Sequence, residues 1–162
     1  MPVPISLDRI DRHLVTLLQN DGRRSNKALA AAVGIAPSTC SERVQRLIDR
    51  GVFLGFHADV RPDAMGVALQ ALVAVRLRRH AADEVDRFWA HTDEMSEVIN
   101  VYHLSGGNDF LCHVVVRDSD HLRAVAVSGF TSLPEVAHIE TSIIFEHRAK
   151  AGLPDLVTLA SN

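Results

Sequence analysis

The chain has 162 residues, of which 47% are hydrophobic and 23% charged, a composition typical of folded globular proteins. No apolar run approaches the roughly 18 residues of a membrane-spanning helix, and residues 1–6 lack the basic and apolar parts of a signal peptide. The two cysteines, Cys40 and Cys112, show neither disulfide nor zinc-site spacing, which favours a reducing, cytoplasmic location.

Positive charge is concentrated near the N-terminus, although the net charge is −3. Residues 1–60 carry eight basic and six acidic side chains, whereas residues 61–162 carry nine and fourteen. Residues 22–50 alone carry six basic against two acidic side chains. Because phosphate binding needs a local basic face rather than a basic protein, the distribution is compatible with nucleic-acid binding. A charge asymmetry of this size also arises by chance, so it does not by itself establish nucleic-acid binding.

The first predicted element is a helix over residues 7–20, since Leu14 and Leu18 belong to an apolar stripe at helical spacing. Ser6 or Asp8 is the expected N-cap.

A second, shorter helix is predicted over residues 26–33, with Ser25 as N-cap and Gly34 as a left-handed C-terminal residue. Pro37 suits the first turn of a third helix, predicted over residues 37–50. Two helices joined by a tight turn that contains glycine are typical of a helix-turn-helix.

The third helix divides into two faces. Cys40, Val44 and Leu47 recur at the spacing of a buried side. A second stripe is polar and basic, as a helix that reads base edges and phosphates requires; it consists of Thr39, Arg43, Arg46 and Arg50. The alternative is an ordinary amphipathic surface helix, and the preceding helix and Gly34 favour the first interpretation.

Residues 52–60 look extended, as expected of a wing or a linking strand, and residues 61–67 are the predicted linker. The order that follows is β-α-β-β-α-β, which is the ferredoxin-like arrangement. The predicted ranges are 68–77, 81–92, 98–104, 111–116, 119–129 and 136–146, and residues 151–162 are expected to be a mobile tail or a segment that clasps a dimer.

Motifs along most of the chain resemble those of the leucine-responsive and asparagine-responsive (Lrp/AsnC, feast/famine) regulators. The resemblance begins with Leu-Asp-Arg-Ile-Asp at residues 7–11 and continues with Val-Gly-Ile-Ala-Pro-Ser-Thr-Cys-Ser-Glu-Arg-Val at residues 33–44. In the second half it rests on His-Leu-Ser-Gly at residues 103–106, on Asp109-Phe110 and on Leu133-Pro134. The sequence differs from the family just before Asp109. Members commonly have an aromatic or bulky residue at that position, whereas this chain has Asn108, preceded by Gly107.

The resemblance implies an α+β protein with an N-terminal winged helix-turn-helix domain (residues 1–60) and a C-terminal ferredoxin-like βαββαβ domain (residues 68–150). It implies a transcription regulator that binds double-stranded DNA, forms homodimers and octamers, and responds to a small effector, usually an amino acid. The expected DNA contacts are Arg23, Lys27, Ser38, Thr39, Ser41, Arg43, Gln45, Arg46 and Arg50. The expected effector contacts are Tyr102, Ser105, Gly106, Asn108, Asp109, Phe110 and Thr141.

Other functions remain as alternatives. Residues 105–109 also suit a plain hairpin turn, and the chain can be a small-molecule-binding oligomer without a promoter target. Nine histidines occur, but none has the spacing of a metal site, so we expect no metal and no cofactor besides the effector. No catalytic motif is present and we expect no enzyme activity.

Overall fold

The computed structural model describes residues 5–79, 81–149 and 152–159. Two compact units form, one from Met1–Asp59 with Arg148–Asn162 and the other from Val60–His147. Within the described residues, no helix is long and apolar enough to cross a membrane. Residues 1–4, 151 and 160–162, which the sequence interpretation assigns to the N-terminal segment and the tail, lie outside the described residues.

Three helices build the first unit: α1 (Arg9–Asn20), α2 (Asn26–Val33) and α3 (Pro37–Asp49). The predicted caps are confirmed, because Asp8 accepts a hydrogen bond from the backbone N–H of Asp11 and Ser25 accepts one from Ala28. Gly34 adopts the expected left-handed conformation with φ of 72°. Local capping chemistry therefore sets where these helices begin and end.

The core of the first unit lies between the three helices. Leu14 and Leu18 of α1 pack with Leu29 of α2 and with Cys40 and Leu47 of α3. The helical spacing of Leu29, Ala32 and Val33 predicts that all three face inward, but Ala32 is exposed and Ala30 is buried instead. Because α2 has alanine at several successive positions, apolar spacing alone does not show which side of this short helix is buried.

Residues 52–60 differ from the expected wing. All of them are described, and none belongs to a helix or a strand. Val52 and Phe53 are partly buried against the first core, whereas Leu54 and Phe56 are exposed. The following linker contains one short 3-10 turn, Pro62–Met65.

A four-stranded antiparallel sheet forms the second unit, with strand order β2-β3-β1-β4. Its elements confirm the βαββαβ order. They are β1 (Leu69–Leu77), α4 (Ala82–Glu94), β2 (Val98–His103), β3 (Phe110–Val116), α5 (Ser119–Ala124) and β4 (Val136–Ile143).

One face of the sheet carries the second core. Val73 and Val75 of β1 pack with Phe110 of β3 and with Phe88 of α4. The rings of Phe88 and Phe110 stack with centroids 4.4 Å apart. The opposite face carries half-buried residues such as Leu72.

The last predicted helix and strand end differently from expectation. The side chain of Asp118 caps α5, but from Val125 to Thr131 the backbone continues as a π-helix rather than an α-helix. The final strand ends at Ile143, three residues earlier than predicted. A short helix, α6 (Leu156–Leu159), follows in the C-terminal segment.

Candidate functional sites

The turn between α2 and α3 is held by specific hydrogen bonds. The Asn26 side-chain amide donates to the backbone oxygen of Pro37 over 2.7 Å, which joins the start of α2 to the start of α3. Behind Gly34, the backbone N–H of Ile35 donates to Ala30 over 3.1 Å. These contacts fix the direction in which α3 leaves the turn, as a recognition helix requires.

One side of α3 presents polar side chains to solvent. Exposed at the surface are Ser38, Thr39, Ser41, Gln45 and Arg46. Hydroxyl, amide and guanidinium groups of this kind donate and accept hydrogen bonds at base edges. Five of the predicted DNA contacts therefore share one accessible helix, and two more, Arg23 and Lys27, are exposed on the turn before α2 and on α2 itself.

Arg43 differs from its expected place on the outward stripe. Its Nη1 atom donates to Asp8 Oδ2 over 2.6 Å and to Asp11 Oδ1 over 2.7 Å, and its side chain is 22% exposed. Arg46 lies 3.4 Å from the same Asp11 oxygen but remains 52% exposed. The geometry thus makes Arg43 a clamp between α3 and α1, whereas Arg46 stays accessible.

Electrostatics around this clamp favour its charged form. The backbone N–H of Asp11 and the guanidinium of Arg43 lower the pKa of Asp8, and the two carboxylates raise the pKa of Arg43. From the sequence alone, Asp8 and Asp11 suit only the positive N-terminal end of α1. The signal that this interpretation missed is that Asp11, Leu14 and Leu18 share one buried stripe, where an acid needs a partner.

Arg50, the last member of the predicted stripe, also has a partner inside the first unit. Its Nη2 atom donates to the backbone oxygen of Ser6 over 3.0 Å. The side chain of Gln45 donates to Asp49 one turn further along α3. Of the stripe, Thr39 and Arg46 are therefore the members most available to a ligand.

The loop between β2 and β3 is fixed by Asp109. Its Oδ2 atom accepts a hydrogen bond from the backbone N–H of Leu77 over 2.7 Å, and its backbone N–H donates to Val75 over 2.8 Å. Its backbone oxygen accepts from Leu104, and the residue is 4% exposed. The carboxylate is turned into the fold and positions the loop.

Phe110 also belongs to the interior. It is fully buried and stacks on Phe88 and, at 4.7 Å between ring centroids, on His103. Ser105 and Gly106 are exposed on the loop, and Asn108 is half-buried. Asp109 and Phe110 therefore form the buried base of the loop. Ser105, Gly106 and Asn108 form its more accessible tip.

Glycines 106 and 107 are not required by the fold of the loop. Neither has a positive φ, and a Cβ atom added at either position would meet no atom within 4 Å among the described residues. Turn geometry and packing within the chain therefore do not explain them. Small residues at an exposed tip allow close approach of a molecule from outside.

Two other predicted effector residues lie far apart. Tyr102 is on β2 and pairs with Leu111, whereas Thr141 is on β4 and pairs with Val73. β2 and β4 are the two edges of the sheet, three strand spacings or about 14 Å apart. A single chain does not bring the predicted effector residues together.

One buried histidine lies outside both sites. His113 on β3 is hydrogen-bonded through Nε2 to Gln70 over 2.9 Å. Burial, and then the neighbouring His147, lower the pKa of His113. Within the described residues, no group of three or more side chains could hold a metal ion.

Comparison with known proteins identifies the family. The family model of the AsnC-type helix-turn-helix domain matches residues 7–48. The family model of the Lrp/AsnC ligand binding domain matches residues 70–152. The chain belongs to the Lrp/AsnC family. It is a DNA-binding transcription regulator with a ligand-binding domain, and the family is one of regulators rather than enzymes.

Among curated members of the Lrp/AsnC family, the chain is similar to the HTH-type transcriptional regulator AldR of Mycobacterium tuberculosis. The two are 44% identical over 144 residues, covering 89% of this chain and 80% of AldR. The leucine-responsive regulatory protein of Escherichia coli is 34% identical over 140 residues, covering 86% of this chain and 85% of that protein.

A solved structure of a transcriptional regulator from Neisseria meningitidis in complex with L-Met is similar in fold. Its TM-score is 0.86 at 26% identity, covering 95% of this chain and 99% of that one.

Proposed function

We propose that this regulator reads its operator through the exposed half of α3 and changes its DNA affinity or assembly when an amino acid binds near the loop between β2 and β3. The DNA-reading part rests on the accessible polar face of α3 behind a fixed turn. The direct readers are Ser38, Thr39, Ser41, Gln45 and Arg46, the phosphate contacts are Arg23, Lys27 and Arg50, and Arg43 holds α3 in place.

The effector part of the proposal rests on Gly106 and Gly107. Their missing side chains leave space that the chain itself does not use. The L-Met complex of the similar N. meningitidis protein supports an amino acid as the effector. Because Tyr102 and Thr141 lie at opposite edges of the sheet, a complete site needs a second copy, which supports a homo-oligomer such as an octamer of four dimers. We place the protein in the cytoplasm, with the chromosome, and assign it no catalytic role.

DNA reading is tested by retention on the protein's own upstream DNA and on random DNA over a range of salt concentrations. Thr39→Ala should weaken binding to the specific site by about five-fold or more while leaving random DNA unaffected, as loss of a base contact does. Lys27→Ala should weaken both equally and reduce the salt slope by about one unit. His13→Ala, at an exposed position of α1, is the control.

A second candidate function is supported by the clamp. Because Arg43 and Arg50 are engaged within the first unit, the chain can be a ligand-binding oligomer without a promoter target. The same salt titration decides between the two. Equal affinity for specific and random DNA at every salt concentration would favour this second function.

Effector binding is tested by a thermal-shift screen of the wild type against the twenty amino acids, with L-methionine first. Gly106→Ala adds one methyl group in space that is empty within the chain, so the melting temperature without amino acid should not change. The shift caused by the active amino acid should be lost or strongly reduced. A full shift in Gly106→Ala would remove the loop tip from the site.

A further inference from the structure

The C-terminal segment lies against α1 of the DNA-binding unit. We call residues 152–157 the strap. Beside it is an open trough of about 940 Å³, whose other walls are α1 and residues 52–58. Neither the helix-turn-helix nor the loop between β2 and β3 assigns a role to this arrangement.

Gln19 and Arg12 of α1 contact the strap. The side-chain amide of Gln19 contacts both backbone groups of Leu153: its oxygen accepts from the N–H over 2.7 Å and its nitrogen donates to the carbonyl over 3.5 Å. About two turns earlier, Arg12 Nε lies 3.5 Å from a carboxylate oxygen of Asp155. Gly152 has φ of 72°, and a Cβ atom there would lie 3.2 Å from the Cβ of Gln19.

These contacts are of a reversible kind. The Gln19 hydrogen bonds are exposed, and the side chains of Arg12 and Asp155 are each about one third exposed. Such exposed polar contacts contribute little each to stability because water competes for them. Leu153 and Leu156 also remain largely exposed. The contacts of Gln19 and Arg12 with the strap are therefore of a kind that opens and closes more easily than the packing of the core helices.

α1 connects the strap to the recognition helix. Arg12 and Gln19 bind the strap, while Asp8 and Asp11 of the same helix hold Arg43 of α3. The strap belongs to the same compact unit as α1, although it follows the ligand-binding unit in the chain.

We propose that the strap is a brace on α1 that must be closed for α3 to be presented firmly to DNA. The DNA-affinity part of this inference rests on the proposed function. The bracing of α1 does not depend on it and is measured separately.

A disulfide lock tests whether the strap closes on its own chain. Gln19→Cys with Gly152→Cys places two Cβ atoms about 3.2 Å apart, and a shift of a few tenths of an ångström reaches the usual 3.5–4.5 Å. Because the positive φ at position 152 strains any side chain there, the reduced double variant must first show the circular dichroism of the wild type. The native Cys40 and Cys112 do not compete, since both are buried and burial raises the pKa of each thiol. Oxidation should give a cross-link within one chain. No cross-link, or cross-links only between chains, would overturn the proposal.

Hydrogen exchange of the α1 peptide tests the bracing. The double variant Gln19→Ala/Asp155→Ala should exchange several-fold faster than the wild type in α1 but not in β1 or β3. His13→Ala, at an exposed position on the same helix, should exchange as the wild type does. Unchanged exchange in the double variant would contradict the brace.

DNA retention tests the consequence. Binding to the upstream DNA should weaken several-fold in Gln19→Ala/Asp155→Ala and should be restored in Gln19→Cys/Gly152→Cys after oxidation, but not in Gln19→Cys alone. If exchange and cross-linking behave as expected while affinity for DNA stays unchanged, the strap does not control DNA binding. If no form binds DNA, including the wild type, the proposed function fails and the brace on α1 still stands.

Discussion

Single residues in this protein often serve the fold and the site together, and the pair formed by Asp8 and Arg43 illustrates how. Asp8 caps α1 through Oδ1 and binds Arg43 through Oδ2. The spacing of residues along α3 predicts which positions share a face. It does not reveal that α1 supplies two carboxylates beside that face, because the contact joins residues more than 30 positions apart. The role of Arg43 therefore required the structure.

Substitution of Asp8 separates its two roles. Asp8→Ala removes the cap and the ion pair and should destabilise the first unit by about 0.5–2 kcal/mol, as the loss of an N-cap does. Asp8→Asn keeps a capping oxygen and removes only the charge, so it should lower the stability of the first unit by less than Asp8→Ala does. Urea unfolding followed by circular dichroism measures both. Equal losses in the two variants would mean that the cap contributes nothing.

The charge of Asp8 predicts a pH dependence with a definite sign. Because the pKa of Asp8 is lowered by folding, its charge stabilises the protein above the unfolded pKa of about 3.9, and this stabilisation is lost as the pH falls through the lower folded value. The stability difference between the wild type and Asp8→Asn should therefore be present at neutral pH and vanish in strong acid. A difference that persists unchanged in acid would contradict this assignment.

Asp109 is the second residue whose role the structure sharpens. Its buried carboxylate accepts the Leu77 N–H, so Asp109→Ala should destabilise the second unit by about 1–3 kcal/mol by leaving a buried donor without a partner. Asp109→Asn keeps an acceptor oxygen and should therefore destabilise the second unit less than Asp109→Ala does. Thermal unfolding without added amino acid compares the two. A fully stable Asp109→Ala would show that the hydrogen bond is dispensable.

At the scale of elements, the parts that sequence predicts well are those with local signals. Ser25, Gly34 and Pro37 placed the ends of α2 and the start of α3 correctly because capping and turn chemistry act over a few residues. The π-helix over Val125–Thr131 carries no such signal. The strap was also not foreseen, since its contacts join residues 134 positions apart.

Gly34→Ala tests the turn that orients α3. A Cβ at Gly34 meets no described atom within 4 Å, so the cost comes only from the positive φ and should be about 1–2 kcal/mol of unfolding free energy. Gly106→Ala is the matched control, because Gly106 has neither a positive φ nor a close neighbour. Equal stability of the two variants would mean that the turn relaxes without cost.

At the scale of the whole molecule, the two units have separate hydrophobic cores, one around Leu14 and one around Phe88. The sequence predicted this division through the change from helical spacing to alternating strands and helices. It could not predict that the C-terminal segment belongs to the first unit. The segment is short and mixes polar and apolar residues without a regular spacing, so its sequence does not indicate which element it packs against. Each core should therefore respond to its own substitutions.

The single tryptophan allows the two cores to be followed separately. Trp89 lies edge-on to Phe110 at 5.5 Å and reports only on the second unit, whereas circular dichroism is dominated by the helices of both units. Leu14→Ala should destabilise the first unit by about 2–5 kcal/mol and Phe88→Ala the second by about 3–5 kcal/mol. In urea, Leu14→Ala should split the dichroism transition and leave the fluorescence midpoint near that of the wild type, while Phe88→Ala should lower the fluorescence midpoint. If Leu14→Ala lowers the fluorescence midpoint as much as Phe88→Ala does, the two units unfold together and the expectation of separate unfolding is wrong.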